Sequence, residues 1–274
     1  MAEYTLSEVI KLHQCLSKFR KPLIEQMIAD NPIVMQGSGL DAGCGIGHFT
    51  NLLLEASDHA AQMTGLDISN DFIEYAKCQY PDIYFSTGDV TQLPFKDRKF
   101  DWIWSIDTVW PGPKELGCPS DTPFSVLNEY KRVVKPGGRM ILAYWSSQKF
   151  LPGYPFLEAR LNNTESANAP FVSTTKPEMH LLNARKWFED LELIDVQSKT
   201  YVHHLEGPFS DDEKLAMSAF IHMLWSDSKK ELDDRDEKLF LSLTNPDSEK
   251  YILNLGGYCG FYTYTVFSGQ VPSE

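Results

Sequence analysis

Residues Leu40–Gly47 read LDAGCGIG, a glycine-rich turn between two segments of regular hydrophobic pattern. The glycines recur as G-x-G-x-G, and apolar residues at helical spacing follow them at Phe49, Leu52, Leu53 and Leu54. Glycine suits a tight strand-to-helix turn because it adopts backbone angles that other residues avoid, and it lets a ligand lie against the backbone. The pattern therefore predicts a strand, a glycine loop and a helix, which together open a nucleotide-binding unit.

The same alternation continues along the chain. Strands are predicted at Met63–Asp67, Ile83–Ser86, Asp101–Asp107, Met140–Tyr144, Ile194–His204 and Tyr258–Val271, and helices at Asn70–Gln79, Phe124–Val134 and Asn183–Leu191. Strands that alternate with helices imply an α/β fold with a parallel sheet. We expect a turn at Pro136–Gly138 between the helix that ends near Val134 and the strand that follows it.

Two helical regions lie outside this alternation. Near the start of the chain, apolar residues at helical spacing from Thr5 to Ala29 are interrupted by Pro22, which indicates two helices or one kinked helix. Further along, Ser210–Trp225 and Glu231–Leu243 each carry an apolar face, which predicts a helical insertion between the last two strands.

The composition is that of a globular protein. The chain has 274 residues, 42% of them hydrophobic and 23% charged, and can bury a substantial core. Its 38 acidic residues exceed its 25 lysines and arginines, and the net charge of −13 argues against a nucleic-acid partner. The five cysteines form no C-x-x-C pair, so no zinc site and no disulfide framework are predicted. The acidic start and the short apolar runs lead us to expect a cytoplasmic protein without a membrane span.

Four segments, in order along the chain, resemble motifs of the class I S-adenosylmethionine-dependent methyltransferases, in the subgroup that includes quinone-biosynthesis enzymes. They are LDAGCGIG at 40–47, TGLDIS at 64–69, GDVTQLPF at 88–95, and FDWIWSID at 100–107 with the KPGG turn at 135–138. The resemblance implies a Rossmann-like, mostly parallel seven-stranded sheet with helices on both faces and an antiparallel last strand. It also implies S-adenosyl-L-methionine as cofactor and S-adenosyl-L-homocysteine as product.

Each motif supplies polar groups that match one part of this cofactor. Asp41 can accept a hydrogen bond from the methionine ammonium, and Asp67 can accept from both ribose hydroxyls. Asp89 and the Val90 amide match the adenine edge, with Ile68 beside the ring. The predicted cofactor-binding residues are Asp41, Ala42, Gly43, Gly45, Asp67, Ile68, Asp89, Val90 and Ser105. The position of Asp67 alone would suit a nicotinamide cofactor equally well, whereas Asp41 and the glycine spacing favour the sulfonium.

No catalytic residue is assigned, because methyl transfer from a sulfonium is an in-line displacement that mainly needs a positioned and desolvated acceptor. The candidates for a base are Asp107, His13, and His203 or His204. We expect the acceptor, a small molecule, to meet the loop Trp110–Thr122 beyond the fourth strand. No metal site is predicted.

The expected organisation has four parts. They are a helical lid at residues 1–35, a methyltransferase core at 36–205, a helical insertion that acts as a second lid at 206–257, and a final core strand and tail at 258–274. The predicted function is S-adenosylmethionine-dependent methyl transfer to a small molecule. The alternatives are a protein or RNA methyltransferase, a non-catalytic cofactor-binding module that works through a partner, and a nicotinamide dehydrogenase. Residues 107–113, DTVWPGP, depart from the motif of enzymes that methylate adenine or glutamine nitrogen.

Overall fold

A computed structural model describes residues 5–31, 36–57, 59–171 and 175–273. Within these residues one sheet of seven strands has the order β3-β2-β1-β4-β5-β7-β6. The strands are β1 (Ser38–Ala42), β2 (Gln62–Asp67), β3 (Tyr84–Thr87), β4 (Phe100–Ile106), β5 (Val134–Lys149), β6 (Ile194–Glu206) and β7 (Cys259–Gln270). The pairs from β3 to β5 are parallel, and β7 is antiparallel to both of its neighbours. The predicted Rossmann-like sheet, including its antiparallel last strand, is confirmed.

Helices flank this sheet. The helices of the described residues are α1 (Leu6–Ala29), α2 (His48–Ala56), α3 (Asn70–Gln79), α4 (Pro123–Val133), α5 (Pro155–Asn162), α6 (Glu165–Asn168), α7 (Ala184–Asp190), α8 (Asp211–Trp225) and α9 (Asp234–Thr244). The helix α1 is continuous and contains Pro22, so the region predicted as two helices or a kinked one is a single helix. Its first turn closes with a capping box, in which Thr5 and Glu8 satisfy each other's backbone amides.

The segment predicted as a turn at Pro136–Gly138 belongs to β5, and the prediction of a turn is wrong. The strand begins at Val134, and its register against β4 jumps from Phe100 opposite Val134 to Trp102 opposite Arg139, so the segment is an irregularity within the strand. Backbone hydrogen bonds of Gly137 and Gly138 to Val271, directly after β7, hold the segment beside that strand. Pairing on both sides therefore outweighs the local turn preference of the KPGG sequence.

The chain divides into two compact units. The first consists of Met1–Trp145, Lys176–Tyr201 and Tyr264–Glu274, and the second of Ser146–Thr175 and Val202–Thr263. The core of the first unit is rich in large side chains without solvent exposure, among them Trp102, Trp104, Tyr130 and Tyr264. This core fixes the strand ends of the first unit, and the cavity described below opens at those ends.

The second unit contains the helices α5, α6, α8 and α9. Its centre is Trp225, which is fully buried, meets Phe150 and Phe240 edge-on, and donates an indole hydrogen bond to Asn162. The helices α8 and α9 were predicted, although α9 begins at Asp234 because Asp233 caps it. The short helices α5 and α6 were not predicted, because eight and four residues are too few for a periodic pattern.

Candidate functional site

A cavity of about 600 Å³ lies in the first unit, beyond the carboxyl ends of β1, β2 and β4. Its volume is within the range of small-molecule sites, and its place is where open α/β sheets bind ligands. Four parts of the chain line it: α1, the glycine turn with the start of α2, the ends of β2 and β3, and the loop after β4. Seven of the nine predicted cofactor-binding residues are among the lining residues, namely Asp41, Gly43, Gly45, Asp67, Ile68, Asp89 and Val90.

The glycine turn brings its backbone to the cavity surface. Gly43 has a φ of 84°, and its amide and that of Cys44 donate to the Leu66 carbonyl at 2.8 and 3.0 Å. A Cβ atom on Gly43 would lie 2.0 Å from the hydroxyl oxygen of Thr108, a distance that no real pair of atoms tolerates. Glycine is therefore required at position 43 both by the backbone angle and by the neighbouring side chain.

Asp41 ends β1 beneath this turn. The residue is 3% exposed, and its carboxylate accepts a hydrogen bond of 2.6 Å from the Thr50 hydroxyl. Burial raises the pKa of Asp41 to about 7, and the nearby charge of Asp67 adds to the rise. A cationic group placed against Asp41 would relieve this unfavourable burial of charge. The geometry therefore suits the ammonium ligand that the sequence predicts.

Asp67 ends β2, and two backbone amides fix its carboxylate. Gly45 donates to one oxygen at 2.8 Å and Ser69 to the other at 2.9 Å. A carboxylate has about four acceptor sites, so each oxygen can accept a further bond from a ligand hydroxyl. Ile68 follows directly and is 74% exposed while it lines the cavity. A planar ligand group over Ile68 would cover apolar surface that otherwise faces water.

Asp89 lies in the loop after β3. One of its carboxylate oxygens accepts from both the amide and the hydroxyl of Thr91, each at 2.7 Å. These two hydrogen bonds to the same oxygen orient the Asp89 carboxylate. Val90 beside it is buried and also lines the cavity.

Ala42 and Ser105, the two remaining predicted residues, do not line the cavity. Ser105 is buried in β4, donates to the Ala42 carbonyl at 2.8 Å and bonds to the Tyr130 hydroxyl at 3.1 Å. Ala42 is the last residue of β1, and the Ser105 hydrogen bond ties it to β4. Their contact with a cofactor stays a prediction.

Asp107, a candidate base, is held by donors from three different elements. Trp145 donates its amide to one carboxylate oxygen at 2.8 Å, and the other oxygen accepts from the Tyr264 hydroxyl at 2.5 Å and from Arg20 at 3.5 Å. Burial raises the pKa of Asp107, while Arg20, Tyr264 and Trp145 oppose the rise. The φ of Asp107 is 48°, an uncommon backbone angle for a residue other than glycine. The carboxylate thus ties α1, β5 and β7 to the end of β4.

Arg20 and Tyr264 were not predicted as site residues. Arg20 lines the cavity, packs its guanidinium over the Phe49 ring at 5.0 Å and donates to the Tyr264 hydroxyl at 3.2 Å. The helical spacing of His13, Ser17 and Arg20 is the one signal in the sequence, since all three lie on the face of α1 that lines the cavity.

Replacing Arg20 with methionine should lower the free energy of unfolding by about 1–3 kcal/mol at pH 8, because the partly buried Asp107 carboxylate loses its cation. The loss of Arg20 raises the pKa of Asp107 further, so the deficit should shrink as the pH falls towards 5 and the carboxyl protonates. Urea unfolding across this pH range measures both effects. The neighbouring variant Lys21→Met, which removes an exposed pair with Glu25, should change stability little. A deficit that stays constant with pH would contradict the role of Asp107 in this pair.

The candidate histidines divide into two groups. His13 lines the cavity and stands edge-on to Phe72, with ring centroids 4.7 Å apart. Burial lowers the pKa of His13 and the charge of Arg20 lowers it further, so this imidazole is neutral at neutral pH. His203 packs against Tyr262, His204 lies 3.7 Å from Glu206, and neither histidine lines the cavity.

Among the described residues no group of histidine, cysteine and acidic side chains could hold a metal ion. No helix in the described ranges is long and apolar enough to cross a membrane.

Residues 40–142 match the family model described as "Methyltransferase domain". A demethylmenaquinone methyltransferase of Lysinibacillus sphaericus is 34% identical over 118 residues, which are 42% of this chain and 47% of the relative. A 2-methyl-6-phytyl-1,4-hydroquinone methyltransferase of Synechocystis is 36% identical over 40% of this chain and 32% of the relative. The chain thus spans half or less of the length of these curated relatives.

The fold has a match among solved structures over nearly its whole length. The YcgJ protein from Bacillus subtilis covers 96% of this chain with 99% of its own, at 16% identity and a TM-score of 0.50. At this identity the likeness concerns the fold alone. The matched segment 40–142 contains all seven of the predicted cofactor-binding residues that line the cavity.

Proposed function

We propose that the chain, whose residues 40–142 match a methyltransferase domain, acts as a class I methyltransferase of the quinone-biosynthesis type and transfers a methyl group from S-adenosyl-L-methionine to a small-molecule acceptor. The observation that carries the proposal is a single cavity in which three carboxylates, from Asp41, Asp67 and Asp89, surround the backbone of the glycine turn. Residues of all four sequence motifs line this one ligand-sized space.

The residues fit the cofactor group by group. Asp41 would hold the methionine ammonium, Asp67 the ribose hydroxyls, and Asp89 with the Val90 amide the adenine edge over Ile68. Gly43 lines the cavity with its backbone, and the methionine chain would lie against it. The cavity walls carry four aspartates against Arg20 and Lys114, so a ligand with a sulfonium and an ammonium meets an opposite charge.

The bound cofactor would supply an electrophilic methyl group on a sulfonium, and the chain would supply position and a dry environment. We propose that α1 covers the site, because His13, Ser17 and Arg20 line one wall. Asp107 serves to hold Arg20 and Tyr264 in place. Burial lowers the pKa values of both lining histidines, His13 and His48, and His13, which the sequence names as a candidate base, is the one we propose to accept a proton from the acceptor.

The acceptor would enter beside the loop after β4. Trp110 lines the cavity there and packs edge-on against Tyr144, with centroids 5.6 Å apart, which favours a flat apolar acceptor. The two sequence relatives are named for demethylmenaquinone and for 2-methyl-6-phytyl-1,4-hydroquinone. We therefore propose an aromatic or quinol-like small molecule and not a nucleic acid, which the net charge of −13 would repel. We also propose a cytoplasmic location, which the sequence leads us to expect.

The test is product formation from a mixture of acceptors. The protein is incubated with S-adenosylmethionine and a panel of quinols, phenols and amines, and with a small-molecule extract, and mass spectrometry follows S-adenosylhomocysteine and acceptors that gain one methylene unit. Formation of both products supports methyl transfer. Tight cofactor binding without turnover on any acceptor would instead support the non-catalytic module.

Replacing Asp67 with alanine should weaken cofactor binding by roughly 1.5–3 kcal/mol, the scale of hydrogen bonds to a charged group. The Asp67 carboxylate also accepts from the Gly45 and Ser69 amides, so the variant needs a check of folding by circular dichroism. Titration calorimetry measures the affinity. An exposed matched control is Asp71→Ala, in the first turn of α3 and outside the cavity lining, which should bind as the native chain does. Native affinity in a folded Asp67→Ala variant would refute the ribose assignment.

A further inference from the structure

The loop between β3 and β4, residues 88–99, carries the two residues that face the adenine edge. A surface loop of this length is ordinarily mobile unless other contacts fix it. Asp89 is exposed and is bonded to Thr91 of the same loop, so the position of its carboxylate depends on the loop as a whole. The contacts that hold the loop therefore determine where Asp89 lies.

The side chain of Arg132, in the last turn of α4, forms hydrogen bonds to three residues of this loop. Its guanidinium donates to the Leu93 carbonyl at 3.1 Å and to the Phe95 carbonyl at 2.8 Å, and it pairs with Asp97 at 2.8 Å. It also forms two bonds to Glu129, at 2.7 and 2.8 Å. The planar fork of donors in arginine makes this multiple bonding possible, whereas lysine offers a single point charge.

Glu129 and the end of α4 complete the attachment. Glu129 accepts the Leu93 amide at 2.8 Å, so Leu93 is held by both its carbonyl and its amide. The amides of Arg98 and Lys99 donate to the carbonyls of Arg132 and Val133 at 2.9 and 2.8 Å. These are carbonyls of the final helical turn, which otherwise lack partners within the helix. We call this set of bonds from Glu129, Arg132 and Val133 the α4 clamp.

We infer that the α4 clamp is the positioning device for adenine recognition: it holds residues 93–99 so that Asp89 can accept the exocyclic amine of the base. This inference rests on the proposed cofactor. Neither Glu129 nor Arg132 lines the cavity, so both act through Asp89 and Val90 and not on the ligand itself. The clamp therefore governs discrimination at the adenine edge and leaves the ribose and methionine contacts unchanged.

The test compares S-adenosylhomocysteine with its 6-oxo (inosine) analogue by titration calorimetry. In the native chain the analogue should bind at least about tenfold more weakly, because Asp89 then faces a carbonyl oxygen in place of an amine. In Arg132→Gln the affinity for S-adenosylhomocysteine should fall by about tenfold while that for the analogue stays within about twofold, so the ratio approaches one. Arg132→Lys should not restore the ratio.

The matched control is Arg139→Gln. Arg139 pairs with Asp195, lies outside the cavity lining and bonds to no part of the loop, so this variant should keep the native ratio. Adding Arg132→Gln to Asp89→Ala should cause no further loss of discrimination, since the clamp acts through Asp89. If Arg132→Gln does not fold, Glu129→Gln removes the charge and weakens the hold on Leu93, and the ratio should still fall.

The outcomes distinguish failure of the α4 clamp from failure of the proposed function. A native ratio in folded Arg132→Gln, or in Glu129→Gln where Arg132→Gln does not fold, overturns the clamp while the proposed function stands. Equal native affinities for the two ligands overturn the role of Asp89 and the clamp with it. A native chain that binds neither ligand overturns the proposed function and, because the inference rests on it, the clamp as well.

Discussion

Replacing Asp41 with asparagine should raise the free energy of unfolding at pH 8 by roughly 2–4 kcal/mol and weaken S-adenosylmethionine binding by about 100-fold. Burial raises the pKa of this carboxyl to about 7, so above pH 7 the native chain holds a poorly solvated negative charge. Asparagine keeps an oxygen that can accept from Thr50 and carries no charge. The same substitution removes the anion that the cofactor ammonium needs.

The pH dependence of stability gives the sign of this effect. Between about pH 4 and pH 7 the folded chain keeps a proton on Asp41 that the unfolded chain has released, so the contribution of Asp41 to the free energy of unfolding falls as the pH rises. In Asp41→Asn this fall should disappear. Urea unfolding from pH 5 to pH 8 measures the free energy of unfolding of the native chain and of Asp41→Asn.

The matched control is Asp101→Asn, at another strand of the same sheet. Burial disfavours the charge of Asp101, but Lys135 and Ser38 outweigh it and lower the pKa of this carboxyl. Asp101→Asn should therefore destabilise the chain at pH 8, the opposite sign to Asp41→Asn. If Asp41→Asn is less stable than the native chain at pH 8, the carboxyl at position 41 is not a buried strained charge.

Replacing Gly43 with alanine should abolish measurable cofactor binding and lower the free energy of unfolding by roughly 2–4 kcal/mol. The new Cβ atom would lie 2.0 Å from the Thr108 hydroxyl oxygen, and the φ of 84° is unfavourable for alanine. Either the turn or the end of β4 must move. The cavity surface formed by the turn then no longer matches the methionine chain.

Comparison with Gly45→Ala separates the cost of the backbone angle from the cost of the clash with Thr108. Gly45 has a φ of 53°, and a Cβ atom there would meet no atom within 4 Å. This variant should cost about 1 kcal/mol of stability, the cost of the backbone angle alone. Thermal unfolding of both variants without ligand gives the comparison. If both variants lose the same free energy of unfolding, the Thr108 side chain moves aside at no energetic cost. Close packing against Thr108 then does not determine the conformation of the turn.

The residues that line the cavity were largely predictable because each lies at, or just beyond, the carboxyl end of a parallel strand. Parallel strands end at one edge of a sheet, so motifs that each contain a strand end converge in space although 20 or more residues separate them. Asp41, Asp67 and Asp89 meet in the cavity for this reason. Ser105 differs because it lies inside β4, where both faces are buried and the hydrophobic pattern does not tell which face meets a ligand.

The network around Asp107 could not have been predicted from the pattern. Arg20 and Tyr264 are 244 positions apart, and their hydrogen bond depends on how α1 packs and on the antiparallel placement of β7. Helical periodicity indicates which face of α1 is apolar but not what that face covers. The KPGG segment illustrates the same limit, since local turn chemistry predicted a loop and sheet pairing on two sides made a strand.

The most direct test of the account is calorimetric titration of the chain with S-adenosylmethionine, S-adenosylhomocysteine and NAD at pH 7.5. The account predicts one-to-one binding of both sulfur nucleosides and no binding of NAD. At pH 6, where Asp41 is mostly protonated, S-adenosylmethionine should bind about tenfold more weakly than at full ionisation, because its ammonium must displace that proton. A folded chain that binds neither sulfur nucleoside, or that binds NAD in their place, would contradict the assignment of the cavity.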